Sequence, residues 1–131
     1  MTDPLPPPLR WIGGLDGHLE LLDRHLTTPE TIIDALRTGS ITNPSAIPLA
    51  AAYALVLAAR QIPTTSQAAI LLTHLQSTAA LLKSTVPDTP ALATTLDHLL
   101  RIADRERAIG VRPLQLRLFH EAQRLAHPAT N

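Results

Sequence analysis

Cysteine is missing from all 131 residues. That absence excludes disulfides, thiolate metal sites and thiol nucleophiles together, and it suits a reducing compartment. Aromatic residues are nearly missing as well: Trp11, Tyr53 and Phe119 are single copies. Hydrophobic content is nonetheless 45%, carried mostly by leucine, alanine and isoleucine. Leucine and alanine favour helix, whereas aromatic and β-branched residues favour strands, so composition points to a helical fold. Neither sign of charge is in excess, with 11 basic against 11 acidic residues interspersed along the chain. Nucleic-acid binding needs a surplus of Lys or Arg on one face, and that class is excluded. A membrane-length apolar run is lacking too. The most apolar stretch, Ala46 to Ala59, is 14 residues long, against roughly 20 for a bilayer span. The opening Met1–Pro8 has no basic region ahead of an apolar core, so no signal peptide is read there. The expected location is the cytoplasm.

What is present organises into one domain over residues 9–127, behind a proline-rich extended lead-in over 1–8. Leu9-Arg10-Trp11-Ile12 and His18-Leu19-Glu20-Leu21-Leu22 flank a Gly13-Gly14-Leu15-Asp16-Gly17 turn, which predicts a β-hairpin over 9–22. Leu19 and Leu21 would share one face, with His18 and Glu20 on the other. A lone hairpin is not stable, so its apolar face must pack on helices. Five helices follow, over about 28–38, 44–60, 65–84, 90–109 and 113–126. Thr28-Pro29-Glu30 and Thr89-Pro90 are start signals, Thr64 or Thr65 is placed as the cap of the third helix, and Pro113 opens the last. Ala68, Leu71, Leu72, Leu75, Ala79 and Leu82 repeat at the helical period in the third helix, as do Leu92, Leu96, Leu99, Leu100 and Ala103 in the fourth. Leu118, Phe119, Ala122 and Leu125 form the inward set of the fifth. The second helix is apolar nearly all round, which makes it the hub of the bundle. The fold class is mainly α, an N-terminal β-hairpin packed on about five helices.

Chemistry is sparse. Six histidines (18, 25, 74, 98, 120 and 127) are scattered, with no His-x3-His pair to converge on a metal, so no metal site is expected. Asp97 with His98, and His120 with Glu121, are sequence neighbours that point in different directions on a helix. The glycine-rich turn lacks the lysine of a phosphate loop, and no Gly-x-Ser-x-Gly elbow occurs. Asp104-Arg105-Glu106-Arg107 reads as a solvated face.

One stretch is more distinctive. Ala46-Ile47-Pro48-Leu49-Ala50-Ala51-Ala52-Tyr53-Ala54 resembles the AIGVAAAYG segment of methylthioribose-1-phosphate isomerases, relatives of regulatory subunits of a eukaryotic translation-initiation exchange factor. Leu9-Arg10-Trp11-Ile12 and Gly17-His18-Leu19-Glu20-Leu21-Leu22-Asp23 look like that family's amino-terminal hairpin. Arg107-Ala108-Ile109-Gly110 resembles its RAIG, near the end of the same domain. The three matches fall in the family's order and span most of the chain.

The resemblance implies an amino-terminal domain of hairpin plus helices that leans over a larger Rossmann-like domain carrying a catalytic cysteine and aspartate. The family interconverts an aldose phosphate and a ketose phosphate without metal or organic cofactor. Its Arg-Gly-Ala-Pro run, which contributes to substrate binding, corresponds here to Thr42, Asn43, Pro44 and Ser45. A second substrate arginine falls at Val86, before Pro87. Neither threonine nor valine supplies a guanidinium fork for phosphate. The family's third strand is expected to be deleted, since Asp23 reaches Thr28 in a few residues. The chain also stops at Asn131, ahead of where the catalytic domain would begin.

The expected reading is a degenerate amino-terminal domain without catalytic residues, cofactor or metal, kept as a binding or interaction module. A free-standing copy would expose an apolar patch or cover it by self-association. The alternative is the amino-terminal half of a split isomerase that needs a separate catalytic chain.

Overall fold

The computed structural model describes residues 9–14, 16–21, 24–39, 41, 46–87 and 89–126. The proline-rich lead-in over 1–8 lies outside them. Three strands come first, β1 (Leu9–Ile12), β2 (His18–Leu21) and β3 (Arg24–Leu26). Five helices follow: α1 (Pro29–Arg37), α2 (Ala46–Arg60), α3 (Ala68–Thr85), α4 (Pro90–Arg105) and α5 (Val111–Ala126). The mainly helical class, with an amino-terminal β element on a five-helix bundle, agrees with the composition and the periodicity.

The sheet is antiparallel in the order β1-β2-β3. The expected deletion of the third strand is therefore wrong. β3 pairs with β2 through Leu19↔Leu26, Glu20↔His25 and Leu21↔Arg24. Three residues are too few to show a period of two, and the pairing to β2 rather than any pattern of its own makes this segment a strand. Registers Trp11↔Leu19↔Leu26 and Arg10↔Glu20↔His25 stack the alternation across the sheet. Leu19 and Leu26 are buried against the helices. Gly17 closes the first turn under steric necessity: a Cβ there would fall 1.9 Å from the Ile12 carbonyl oxygen.

Thr28 starts α1 through a capping box. Its hydroxyl accepts from the Thr31 amide at 3.2 Å, and the Thr31 hydroxyl accepts from the Thr28 amide at 3.2 Å. Ile32, Ile33, Ala35 and Leu36 then turn inward.

The next helix, α2, is closed on all sides along Ala50–Ala59. It packs on α1, α3, α4, α5 and β2. Its alanines allow this, because a short side chain lets a neighbouring helix approach closely. Its carboxyl end is capped from a distance: the buried Gln115 amide donates to the carbonyls of Ala59 (2.9 Å) and Ile62 (3.0 Å). The Ile62 amide also donates to the Ala59 carbonyl at 3.2 Å, so Gln115 supplies that buried oxygen's second hydrogen bond.

Two helix starts differ from expectation. α3 begins at Ala68 with Gln67 in the cap position, not after Thr64 or Thr65. Those threonines are used in a turn that follows Pro63, in which the Ser66 amide donates to the Pro63 carbonyl at 2.9 Å. α5 begins at Val111, so Pro113 sits in its first turn rather than at its start. A first-turn proline costs nothing, since its missing N–H would have no partner. Between α4 and α5, a 3-10 turn over Arg107–Ile109 ends at Gly110, with φ +98° and ψ 170°, so α4 stops at Arg105 and does not run on to 109. The buried sets contain most of the periodic ones, with Thr78 and Ile102 added in α3 and α4, with Val111, Leu114, Gln115 and Glu121 added in α5, and with Ala68, Leu100 and Leu125 only half-buried.

Candidate functional site

Thr42, Asn43, Pro44 and Ser45 lie outside the described residues. Val86 is described: it caps the carboxyl end of α3, half-buried, with its amide donating to the Leu82 carbonyl at 3.2 Å and its side chain packed on the core. An aliphatic group in that setting is a packing residue and offers nothing to a phosphate.

The first polar constellation joins α4 to α5. Glu121 is 4% exposed, yet it is fully paired. One carboxylate oxygen accepts from Arg117 Nη1 and Arg124 Nε, both at 3.2 Å. The other meets His98 Nε2 at 2.6 Å and the second guanidinium nitrogen of Arg124. The Arg124 hydrogen bond, helped by His98 and Arg117, holds the Glu121 carboxyl down at about 2 despite the opposing effect of burial. Arg117 Nε also donates to Glu106 at 3.2 Å, which ties in the residue that ends α4. His98 and Glu121 are each flanked in sequence by the opposite type, but the pairing runs between helices, 23 residues apart. Sequence spacing could not show it, because no local periodicity records which faces of α4 and α5 meet.

An open cavity of about 500 Å³ lies beside this cluster, lined by Thr94, Thr95, His98, Arg101 and Arg124 among others. Arg124 is already committed to Glu121, and Asp97 on the same wall accepts from Lys83 Nζ at 2.6 Å. The chain has no thiol, and among the described residues neither Thr94 nor Thr95 of the lining is hydrogen-bonded to His98, so the cavity shows no nucleophile activated by a neighbouring base. The cluster is an interhelical clamp.

The second constellation lies on the sheet. His18 and Glu20 are two residues apart on β2 and so share its face, and His25 on β3 stands opposite Glu20 in the register. The two imidazoles lie with centroids 4.5 Å apart, and His25 Nε2 is 3.4 Å from Glu20 Oε2. One ligand atom from each of the three residues falls within 4.8 Å of the others. The expectation of no metal-type grouping rested on the helical His-x3-His spacing. Strand alternation plus a third strand brings histidines together instead, and that third strand was not anticipated.

The third feature is aromatic. Trp11 stacks on Tyr53 of α2 at 4.8 Å and meets Phe119 of α5 at 5.7 Å, so all three aromatics of the chain form one cluster. Burial pushes the Tyr53 hydroxyl up to about 12. Arg60 of α2 donates to the Gly17 carbonyl, fastening the first turn of the sheet to the end of the hub.

Comparison with known proteins gives a consistent picture. No protein-family profile matches the chain. A methylthioribose-1-phosphate isomerase of Bacillus licheniformis is 36% identical over 98 residues, which are 75% of this chain and 27% of the relative. The crystal structure of 5-methylthioribose 1-phosphate isomerase from Pyrococcus horikoshii OT3 superposes with a TM-score of 0.76 at 16% identity, over 93% of this chain and 36% of that one. The structure of translation initiation factor eIF-2B, subunit delta, from A. fulgidus gives 0.71 at 24% identity, over 92% and 36%. The two structures establish the shared fold. The chain spans about a quarter of the curated relative's length. No described helix is long and apolar enough to cross a membrane.

Proposed function

We propose that this chain, an amino-terminal domain of the methylthioribose-1-phosphate isomerase and eIF-2B-like kind, works as a binding or interaction module and does not isomerise sugar phosphate by itself. One observation carries the reading. The scaffold is retained, whereas the residues to which the resemblance assigns substrate contact are Thr42 and Val86. Neither side chain carries charge, and a phosphate gripped by a guanidinium fork would lose both its hydrogen bonds and its counter-ion. The absence of cysteine supports the same conclusion for this chain.

An outer face of α3 supports an interaction role. Ile70 and Leu81 are 52% and 50% exposed, three helical turns apart on one side. Between Ile70 and Leu81 the sequence carries no Asp, Glu, Lys or Arg. An exposed helix face without charge costs solubility unless something covers it. Self-association through this face is the form proposed, in a cytoplasmic protein. Light scattering across a range of concentrations tests it. Mass rising with concentration, and falling to the monomer in Ile70→Glu, is the expected result. A monomer at every concentration sinks the self-association.

A second reading is favoured by the 36% identity to an isomerase over 98 residues: the chain works as one part of an isomerase of methionine salvage that needs a separate catalytic domain. Mixing this chain with such a domain and following methylthioribose 1-phosphate turnover separates the two. Activity in the mixture and none in either component supports the split enzyme, and co-purification without turnover supports the module.

A further inference from the structure

We propose that the outward face of the three-stranded sheet is a divalent transition-metal site, taken by zinc, with His18, Glu20 and His25 as its protein ligands. The three side chains arrive there by pleat and register, not by proximity in a flexible loop. His18 and Glu20 alternate onto one face of β2, and β3 sets His25 across from Glu20. Their ligand atoms already lie within 4.8 Å of one another. Tetrahedral coordination at about 2.0–2.1 Å brings ligands to about 3.3 Å apart. His25 Nε2 already lies 3.4 Å from Glu20 Oε2, close to that spacing, and the His25 side chain is 60% exposed.

A second observation distinguishes this cluster from an ordinary surface ion pair. His18 Nε2 is buried and, among the described residues, makes no hydrogen bond. A buried polar nitrogen is normally satisfied, and one left without a partner beside a second imidazole and a carboxylate marks an incomplete shell. A cation supplies what is missing, because it accepts both imidazole lone pairs and the carboxylate charge at once. The donor set selects the ion. Two nitrogens and one oxygen suit zinc, nickel or copper, whereas calcium and magnesium require mostly oxygen. Three protein ligands leave a fourth position for water or for a donor from another molecule.

Titration calorimetry of the untagged full chain with zinc chloride tests the site, with cobalt(II) absorption as a second readout. One zinc per chain is expected, together with the visible bands of four-coordinate cobalt. His25→Ala and Glu20→Gln should each weaken zinc by about tenfold or more, the scale on which even supporting residues of metal sites act. His74→Ala, on α3 outside the cluster, should leave the affinity unchanged. Circular dichroism of His25→Ala guards against misfolding, and the exposure of that side chain makes a fold defect unexpected. Zinc binding that survives both His25→Ala and Glu20→Gln overturns the proposal, as does a wild-type chain that takes up no zinc.

Discussion

The indole of Trp11 lies nearly flat on the phenol ring of Tyr53, with centroids 4.8 Å apart and planes inclined by 15°. The contact links β1 to the middle of α2, and the indole N–H is used as well, donating to the Gly14 carbonyl at 2.8 Å. One side chain thus joins the strand, its turn and the hub. Offset stacking adds about 0.5–1.5 kcal/mol to the area buried. Trp11→Ala should cost about 2–3 kcal/mol, less than a fully buried tryptophan because Trp11 is half-buried. Urea denaturation followed by circular dichroism measures it. A loss below about 0.5 kcal/mol would show that the sheet does not depend on this contact.

Glu121 governs the acid limb of stability. Its carboxyl is lowered from 4.5 to about 2 in the folded protein, first by the Arg124 hydrogen bond. The unfolded chain therefore binds a proton at a pH where the folded chain does not. The stabilisation is complete above the unfolded value of 4.5 and is lost as pH falls toward about 2. The exposed Arg124 tempers its size to about 1–3 kcal/mol. Glu121→Gln should lose that amount at neutral pH and flatten the slope of stability between pH 4.5 and 2. An unchanged slope in the variant would assign the acid limb to other carboxylates.

Gln115→Leu removes the two hydrogen bonds that close the carboxyl end of α2. The volume is kept, but the Ala59 carbonyl is reduced to the Ile62 amide at 3.2 Å, and the Ile62 carbonyl loses its side-chain donor. The expected loss is about 1–3 kcal/mol, read from the midpoint of urea unfolding. Gln115→Glu discriminates further: a carboxylate presents acceptors to carbonyl oxygens and should be worse than leucine.

Much of this fold is legible in the sequence, for physical reasons that can be named. Leu71, Leu75, Ala79 and Leu82 repeat at the helical period and are buried, as are Leu92, Leu96 and Leu99. Periodicity is a local property, so it reads well. What does not read is anything set by how elements meet. β3 exists because β2 offers it an edge, and His98 finds Glu121 because α4 and α5 cross at those residues. The His18–Glu20–His25 grouping depends on β3 and is hidden for the same reason. Cap positions fail in a smaller way: Thr64 and Thr65 are good caps in isolation, but the turn after Pro63 uses them first. Thr42, Asn43 and Pro44, which share the substrate argument with Val86, lie outside the described residues.

Gly110 sits at φ +98° and ψ 170°, a region that side chains other than hydrogen do not tolerate. Gly110→Ala meets only ordinary contact, at 3.8 Å from Pro113 Cδ, so its cost is backbone strain alone. The expected loss is about 1–3 kcal/mol, with α4 and α5 both retained in the circular dichroism spectrum. A neutral substitution would mean that the link between the two helices adopts another conformation at no cost.

The closure of α2 on every side has a consequence for how the molecule opens and how it changes. Each neighbour covers its own side of this helix, so the departure of one uncovers only part of it. Its amide protons therefore exchange with solvent only when the whole molecule unfolds, and their exchange rate is a direct gauge of global stability. The clamp between α4 and α5, the outer face of α3 and the sheet lie at the periphery of that unit. Substitution there alters what the protein touches at a cost of about 1–3 kcal/mol, as at Trp11 and Glu121, and leaves the central helix itself unchanged. A scaffold insulated in this way can lose one set of binding residues and acquire another while the same helix goes on holding it together.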